Sequence, residues 1–159
     1  MGRRWSIWFG EWRGPPPLGR KQGAKVLSNM SFATTEDRLT SEVVRLFEEC
    51  PQLSGAVIAN SDGLVLASQG TLFKESAAAV ATHLIAEMDS CMKIMDQGVV
   101  TEAMIWTAKG PWYVTRIGEA NNILALGGTQ EMQAGMLRHM AFLASGRFAA
   151  CLAEVGELV

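Results

Sequence analysis

From Thr35 onward, apolar residues recur at spacings of three and four: Leu39, Val43, Leu46, Phe47 and Cys50. That period predicts an amphipathic helix, with Glu36 and Asp37 in a first turn suited to the positive end of the helix dipole. Pro51 stops it. Two short apolar runs follow within LSGAVIANSDGLVLAS, residues 53–68, and predict strands at about 54–60 and 64–69. Asn60-Ser61-Asp62-Gly63 joins them. Gly takes positive φ without steric cost and Asp bonds its own turn backbone, so Asp-Gly between apolar runs signals a hairpin.

A longer helical pattern occupies residues 73–97, with Phe73, Ala77, Val80, Leu84, Met88, Cys91 and Met95 on one stripe and Ala81, Ile85 and Met92 widening it. Gly98 is the expected stop. In the next strand, from Thr101, Ala103, Ile105 and Thr107 alternate with Glu102, Met104 and Trp106. Ala108-Lys109-Gly110-Pro111 supplies a turn, and Trp112 begins a strand that runs to Ile117. Ile123-Leu124-Ala125-Leu126 is an unbroken apolar run, as expected for a central strand buried on both faces. After Gly127-Gly128 a last helix is expected over residues 130–155, with Leu137, Ala141, Ala144, Phe148, Cys151 and Val155 as its core stripe.

The order is helix, two strands, helix, three strands, helix, which makes an α+β sandwich. It resembles the roadblock/dynein light chain family across residues 36–158, with the best local match in Gly55-Ala56-Val57-Ile58-Ala59-Asn60-Ser61-Asp62-Gly63-Leu64. The resemblance implies a roadblock-like, profilin-like α-β-β-α-β-β-β-α domain over 34–159, with a five-stranded mixed antiparallel sheet. Family members act as dimeric platforms and regulators for small GTPases.

Composition fits one such domain. A chain of 159 residues with 48% apolar content buries one ordinary core. Apolar runs stay short of the ~18 residues of a membrane-spanning helix, so no integral membrane segment is expected. The formal charge of -2 hides an asymmetry: residues 1–29 carry six bases against Glu11 alone, for +5, and the remaining 8 bases and 15 acids leave -7. An acidic globular part argues against nucleic-acid binding, which needs a basic surface.

Residues 1–33 form a leader of different character, with Trp5, Trp8 and Trp12 among Arg and Gly, followed by Pro15-Pro16-Pro17. It is expected to be disordered. Its apolar part is shorter than the ~7–15 residues of a signal peptide core and lacks a small-residue cleavage pattern. Met30 lies just before the first helix signals, consistent with an upstream start codon or a nonessential leader; an interfacial anchor is the sharper alternative.

Cys50, Cys91 and Cys151 are odd in number, far apart and without Cys-x-x-Cys spacing. They read as buried thiols in a reducing cytoplasm, with neither a disulfide framework nor a metal site. His83 and His139 show no His-x-x-x-His or His-Glu spacing, and no Gly-x-Ser-x-Gly elbow surrounds Ser61 or Ser68. No phosphate loop is present: Gly127-Gly128 lacks the lysine, and the glycines and lysines of 19–25 have the wrong spacing. The chain is therefore expected to have no catalytic residues of its own and no cofactor, and to act on a partner if it works in a GTPase system.

What remains is surface for protein contacts. The strand over 101–107 is a candidate sheet edge in which Glu102 alone is charged, and open edges pair with other chains. In the roadblock family this strand pairs with its twin across a two-fold axis while the middle helices pack side by side. Carried over by position, Glu102, Met104 and Trp106 would lie at the seam, and Ile85, Met88, Met92 and Met95 at the helix pair. The resemblance thus implies a homodimer that meets a Ras-like small GTPase at the middle helices, and His83, Glu87, Lys93 and Gln97 are the candidate polar contacts. Bacterial members that pair with gliding-motility-type GTPases promote hydrolysis by positioning the GTPase's own groups. Arg116 is the one tempting arginine finger and is better explained as a cross-strand charge. A small-molecule-sensing domain and a dynein-light-chain-like adaptor are the alternatives.

Overall fold

The computed structural model describes residues 34–71 and 73–153. Helix α1 (Thr34–Glu49) opens with Glu36 and Asp37 in its first turn and ends where the Cys50 N–H still reaches the Leu46 carbonyl, one residue before Pro51. The hairpin β1 (Leu53–Ala59) and β2 (Val65–Gly70) follows. Its turn is organised by Asn60 and not by Asp62: the Asn60 Oδ1 accepts the backbone N–H of Asp62 at 3.0 Å and of Leu64 at 2.8 Å. Gly63, at φ +80°, provides the left-handed step.

Helix α2 (Lys74–Ile94) crosses to the strands β3 (Glu102–Thr107), β4 (Gly110–Ile117) and β5 (Asn122–Gly128), and α3 (Ala134–Ala153) closes the domain. Helix α2 stops before the expected Gly98. The Gln97 N–H turns back to the Met92 carbonyl, and Asp96 takes the left-handed conformation at φ +57°, a place an Asp side chain tolerates. The outer part of the expected last helix, including Val155, lies outside the described residues, as does the whole leader over 1–33.

The sheet order is β2-β1-β5-β4-β3, with every neighbouring pair antiparallel. β5 sits in the middle, buried along its length, as its unbroken apolar run requires. Because strand side chains alternate between faces, the sheet feeds two cores. Ala56, Ile58, Leu124, Leu126 and Tyr113 meet Leu39, Val43 and Leu46 of α1 and Leu137, Ala141, Ala144 and Phe148 of α3 on one face. Val57, Ala59, Val114, Ile123 and Ala125 meet Ala78, Ala81 and Ile85 of α2 on the other.

The buried line of α2 is not the stripe its periodicity suggested. Ala78, Ala81 and Ile85 face the sheet, whereas Phe73, Val80, Cys91 and Met95 are exposed and Ala77, Leu84 and Met88 only half covered. Both flanks of this helix are apolar, so period alone does not choose between them. The short Ala side chains do, because they let the helix approach the sheet closely while the bulkier flank stays outside. Of the three cysteines, none of which is in a disulfide, Cys50 and Cys151 are buried as expected but Cys91 lies on that exposed flank.

Candidate interaction site

β3 is the terminal strand of the sheet, so one side of its backbone has no strand neighbour among the described residues. Which residues face that side follows from the ladder. The Arg116 N–H donates to the Thr101 carbonyl at 3.3 Å, which makes Thr101 and Arg116 a hydrogen-bonded pair. In antiparallel strands such pairs alternate with non-bonded ones. Ala103, Ile105 and Thr107 therefore bond β4, and Glu102, Met104 and Trp106 turn their N–H and C=O groups outward. The side chains of these three share the α3 face, where Met104 packs half-buried on the core beside its cross-strand partner Tyr113. Trp106 stands out of it, 71% exposed.

On the opposite face Ile105 and Trp112 are cross-strand partners and pack on the α2 core together with Leu84 and Met88. The Trp112 indole approaches β5 so closely that a Cβ at Gly127 would sit 2.8 Å from the ring. Half-covered Ile105 and Trp112 and the exposed flank of α2 thus continue one apolar surface up to the open edge.

Among the residues expected at a helix pair, Ile85 belongs elsewhere: it is 1% exposed, packed between α2 and the sheet of its own subunit. Met88 and Met92 are half-buried and Met95 is exposed, so these three remain reachable. Val80, 65% exposed, joins them. The polar candidates His83, Glu87, Lys93 and Gln97 are all exposed, but they do not converge. His83 and Glu87 follow one line of α2, Lys93 lies roughly a third of a turn away from Glu87 round the helix, and Gln97 lies past its end, with its amide donating to the Met95 carbonyl.

Arg116 is engaged within the fold. Its guanidinium pairs with Asp89 of α2, and its Nε donates to the Val100 carbonyl at 3.0 Å. Asp89 also accepts the Val100 N–H at 2.6 Å, which fixes the entry into β3 from both directions.

A second polar cluster lies where β3 meets α3. Arg138 donates through Nε and Nη2 to the Glu102 Oε1 at 2.9 and 2.6 Å, and the Tyr113 hydroxyl donates to the Glu102 Oε2. The Arg138 hydrogen bonds, then that of Tyr113, hold the Glu102 carboxyl below its ordinary range. Burial first and the Glu102 bond second push the Tyr113 phenol up. These side chains line an open cleft of about 370 Å³ together with Gly135, His139 and Phe142, the last 76% exposed. Sequence reasoning passed over Arg138, Tyr113 and Phe142. The one signal for Phe142 was a large aromatic off the core stripe of the last helix.

No group of His, Cys, Asp and Glu side chains able to hold a metal ion occurs among the described residues. None of their helices is long and apolar enough to cross a membrane.

The family model for the Roadblock/LC7 domain matches residues 39–127, from within α1 through nearly all of β5. The chain belongs to the Roadblock/LC7 family. Solved structures agree on the fold of this Roadblock/LC7 chain. Myxococcus xanthus MglB aligns at a TM-score of 0.67 and 16% identity, covering 75% of this chain and 90% of its own. The gliding protein MglB of Thermus thermophilus aligns at 0.67 and 18% identity, covering 76% and 93%. A Roadblock/LC7 domain from Streptomyces avermitilis aligns at 0.64 and 21% identity, covering 72% and 97%. No curated protein sequence matches the chain. In this fold the sheet ends at the β3 edge, with the α2 flank beside it on one face and the cleft on the other.

Proposed function

We propose that this roadblock protein is a homodimeric, noncatalytic regulator or scaffold that binds a Ras-like small GTPase in the cytoplasm and modulates its nucleotide cycle. The observation that carries the reading is the β3 edge, unpaired among the described residues, with Trp106 exposed beside it and the apolar flank of α2 continuous with it. An unpaired edge without proline and with one charged residue invites a strand from another chain, and a second copy of the same edge is the commonest symmetric solution. Pairing the edges brings the two α2 flanks toward each other, so that Val80, Met88, Met92 and Met95 are covered by the twin. A GTPase then meets a surface made by both copies, with His83 and Glu87 on its outer line and Lys93 and Gln97 at its end.

Family membership and the likeness to the MglB structures support the GTPase half of the reading. With Arg116 held by Asp89, the dimer acts by positioning groups of the GTPase, either as a GTPase-activating partner or as an adaptor.

Mixing the protein with small GTPases from the same source, and measuring complex mass and GTP hydrolysis together, tests this. A two-to-one or two-to-two complex is expected. Accelerated hydrolysis marks an activator, and a complex with unchanged hydrolysis marks an adaptor. A protein that is monomeric by light scattering at micromolar concentration, and that captures no GTPase, refutes the proposal.

A further inference from the structure

We infer that Trp106 of each copy inserts into the Glu102–Tyr113–Arg138–Phe142 cleft of the other, and that this exchange sets the register of the dimer. The inference rests on the homodimer reading above and specifies what its central contact is.

The backbone restricts the possible registers. A two-fold axis perpendicular to the sheet keeps each face of one copy continuous with the same face of the other. Residues opposite one another across an antiparallel seam share a face, so a residue can oppose only those an even number of positions away. The outward-facing peptide groups give the same restriction independently. Glu102, Met104 and Trp106 present N–H and C=O groups to the edge and must meet their like, because Ala103, Ile105 and Thr107 are already bonded to β4. The register centred on Met104 uses all three outward residues at once: Met104 opposes Met104, and Trp106 opposes Glu102. Sliding by two positions leaves Glu102 or Trp106 without an outward partner on β3.

In that register Trp106 arrives on the α3 face, directly beside Glu102 and at the mouth of the cleft. The chemistry there suits an indole. Phe142 offers an exposed ring, and Arg138, held in place by its two bonds to Glu102, offers a guanidinium plane for stacking and cation–π attraction. His139 adds a further planar group. Tyr113 already spends its hydroxyl on Glu102, so the cleft floor presents no unpaired phenol to an apolar guest. Two such insertions, related by the axis, bury the most exposed aromatic of β3 and the most exposed aromatic of α3 against each other.

A double-mutant cycle on the full chain reads this contact. Trp106→Ala, Phe142→Ala and the pair are compared by the dimer dissociation constant from sedimentation equilibrium, with circular dichroism confirming that each variant folds. Both side chains stand clear of the core, so folding is expected to be intact. Each single substitution is expected to weaken dimerisation about tenfold or more, and the double to be little weaker than the worse single. Effects that multiply, or no change in a protein that still dimerises, overturn the insertion while leaving the dimer reading standing. A wild-type chain that stays monomeric at micromolar concentration removes the dimer reading itself. Native mass spectrometry showing a small molecule retained in wild type and lost from Phe142→Ala would assign the cleft to a ligand and also overturn the insertion.

Discussion

Asp89 on α2 and Arg116 on β4 form a half-buried ion pair, and the same carboxylate accepts the backbone N–H of Val100. One side chain therefore fastens the last turns of the middle helix to the end of β4 and to the entry of the edge strand. Asp89→Ala leaves the Arg116 guanidinium and the Val100 N–H without their acceptor. Removing one member of a buried, hydrogen-bonded pair costs on the order of 2–4 kcal/mol, and denaturant unfolding should show a loss of that size. An Asp89→Ala variant as stable as wild type would make the clamp incidental.

The two apolar flanks of α2 separate in a substitution test. Ile85→Ala opens a cavity between helix and sheet and should destabilise the subunit by about 2–5 kcal/mol. Val80→Ala, on the exposed flank, should change subunit stability by roughly 0.5 kcal/mol or less. Thermal unfolding of both variants, at a concentration where light scattering reads single chains, distinguishes the core line from the uncovered one.

Gly127 allows the close approach of the Trp112 indole, since a methyl group there would meet the ring at 2.8 Å and the Ser54 hydroxyl at 2.9 Å. Gly127→Ala should displace the ring and cost about 1–3 kcal/mol through overpacking. A lowered melting temperature, with the near-ultraviolet dichroism of the tryptophans altered, is the expected observation.

Stability should fall in acid, and Glu102 and Glu49 account for part of it. The hydrogen bonds from Arg138 hold Glu102 below its ordinary carboxylate value of 4.5, and those from Arg147 do the same for Glu49. A carboxyl depressed in the folded state contributes fully above 4.5 and loses that contribution as pH falls through its lower folded value. Glu102→Gln should therefore flatten the acid limb of a stability-against-pH curve. Tyr113, raised from 10.0, works at the other end: the unfolded phenol ionises first, so stability declines as pH rises beyond 10. Tyr113→Phe should blunt that decline.

The element order was legible because each signal was local. Pro51 ended α1, the Asn60 to Gly63 turn joined β1 to β2, and the apolar run from Ile123 declared the central strand. The core side of α2 was not legible. A helix with apolar residues on adjoining flanks gives no periodic preference, and the choice of Ala78, Ala81 and Ile85 depends on how closely the sheet approaches. The ion pairs were hidden for a different reason: Arg116–Asp89 and Arg138–Glu102 join residues 27 and 36 positions apart, and only the completed sheet brings them together. The candidate site was half visible, with Met104 and Trp106 readable from strand alternation and the cleft opposite them readable only from the packing of α3.

Cys91, alone among the three thiols, stands in solvent on the outer flank of the middle helix. A maleimide dye will react there before it reaches Cys50 or Cys151, which are shielded. The wild-type protein thus carries its own spectroscopic handle, and a label placed on it reports from the surface of the middle helix with no engineering of the chain.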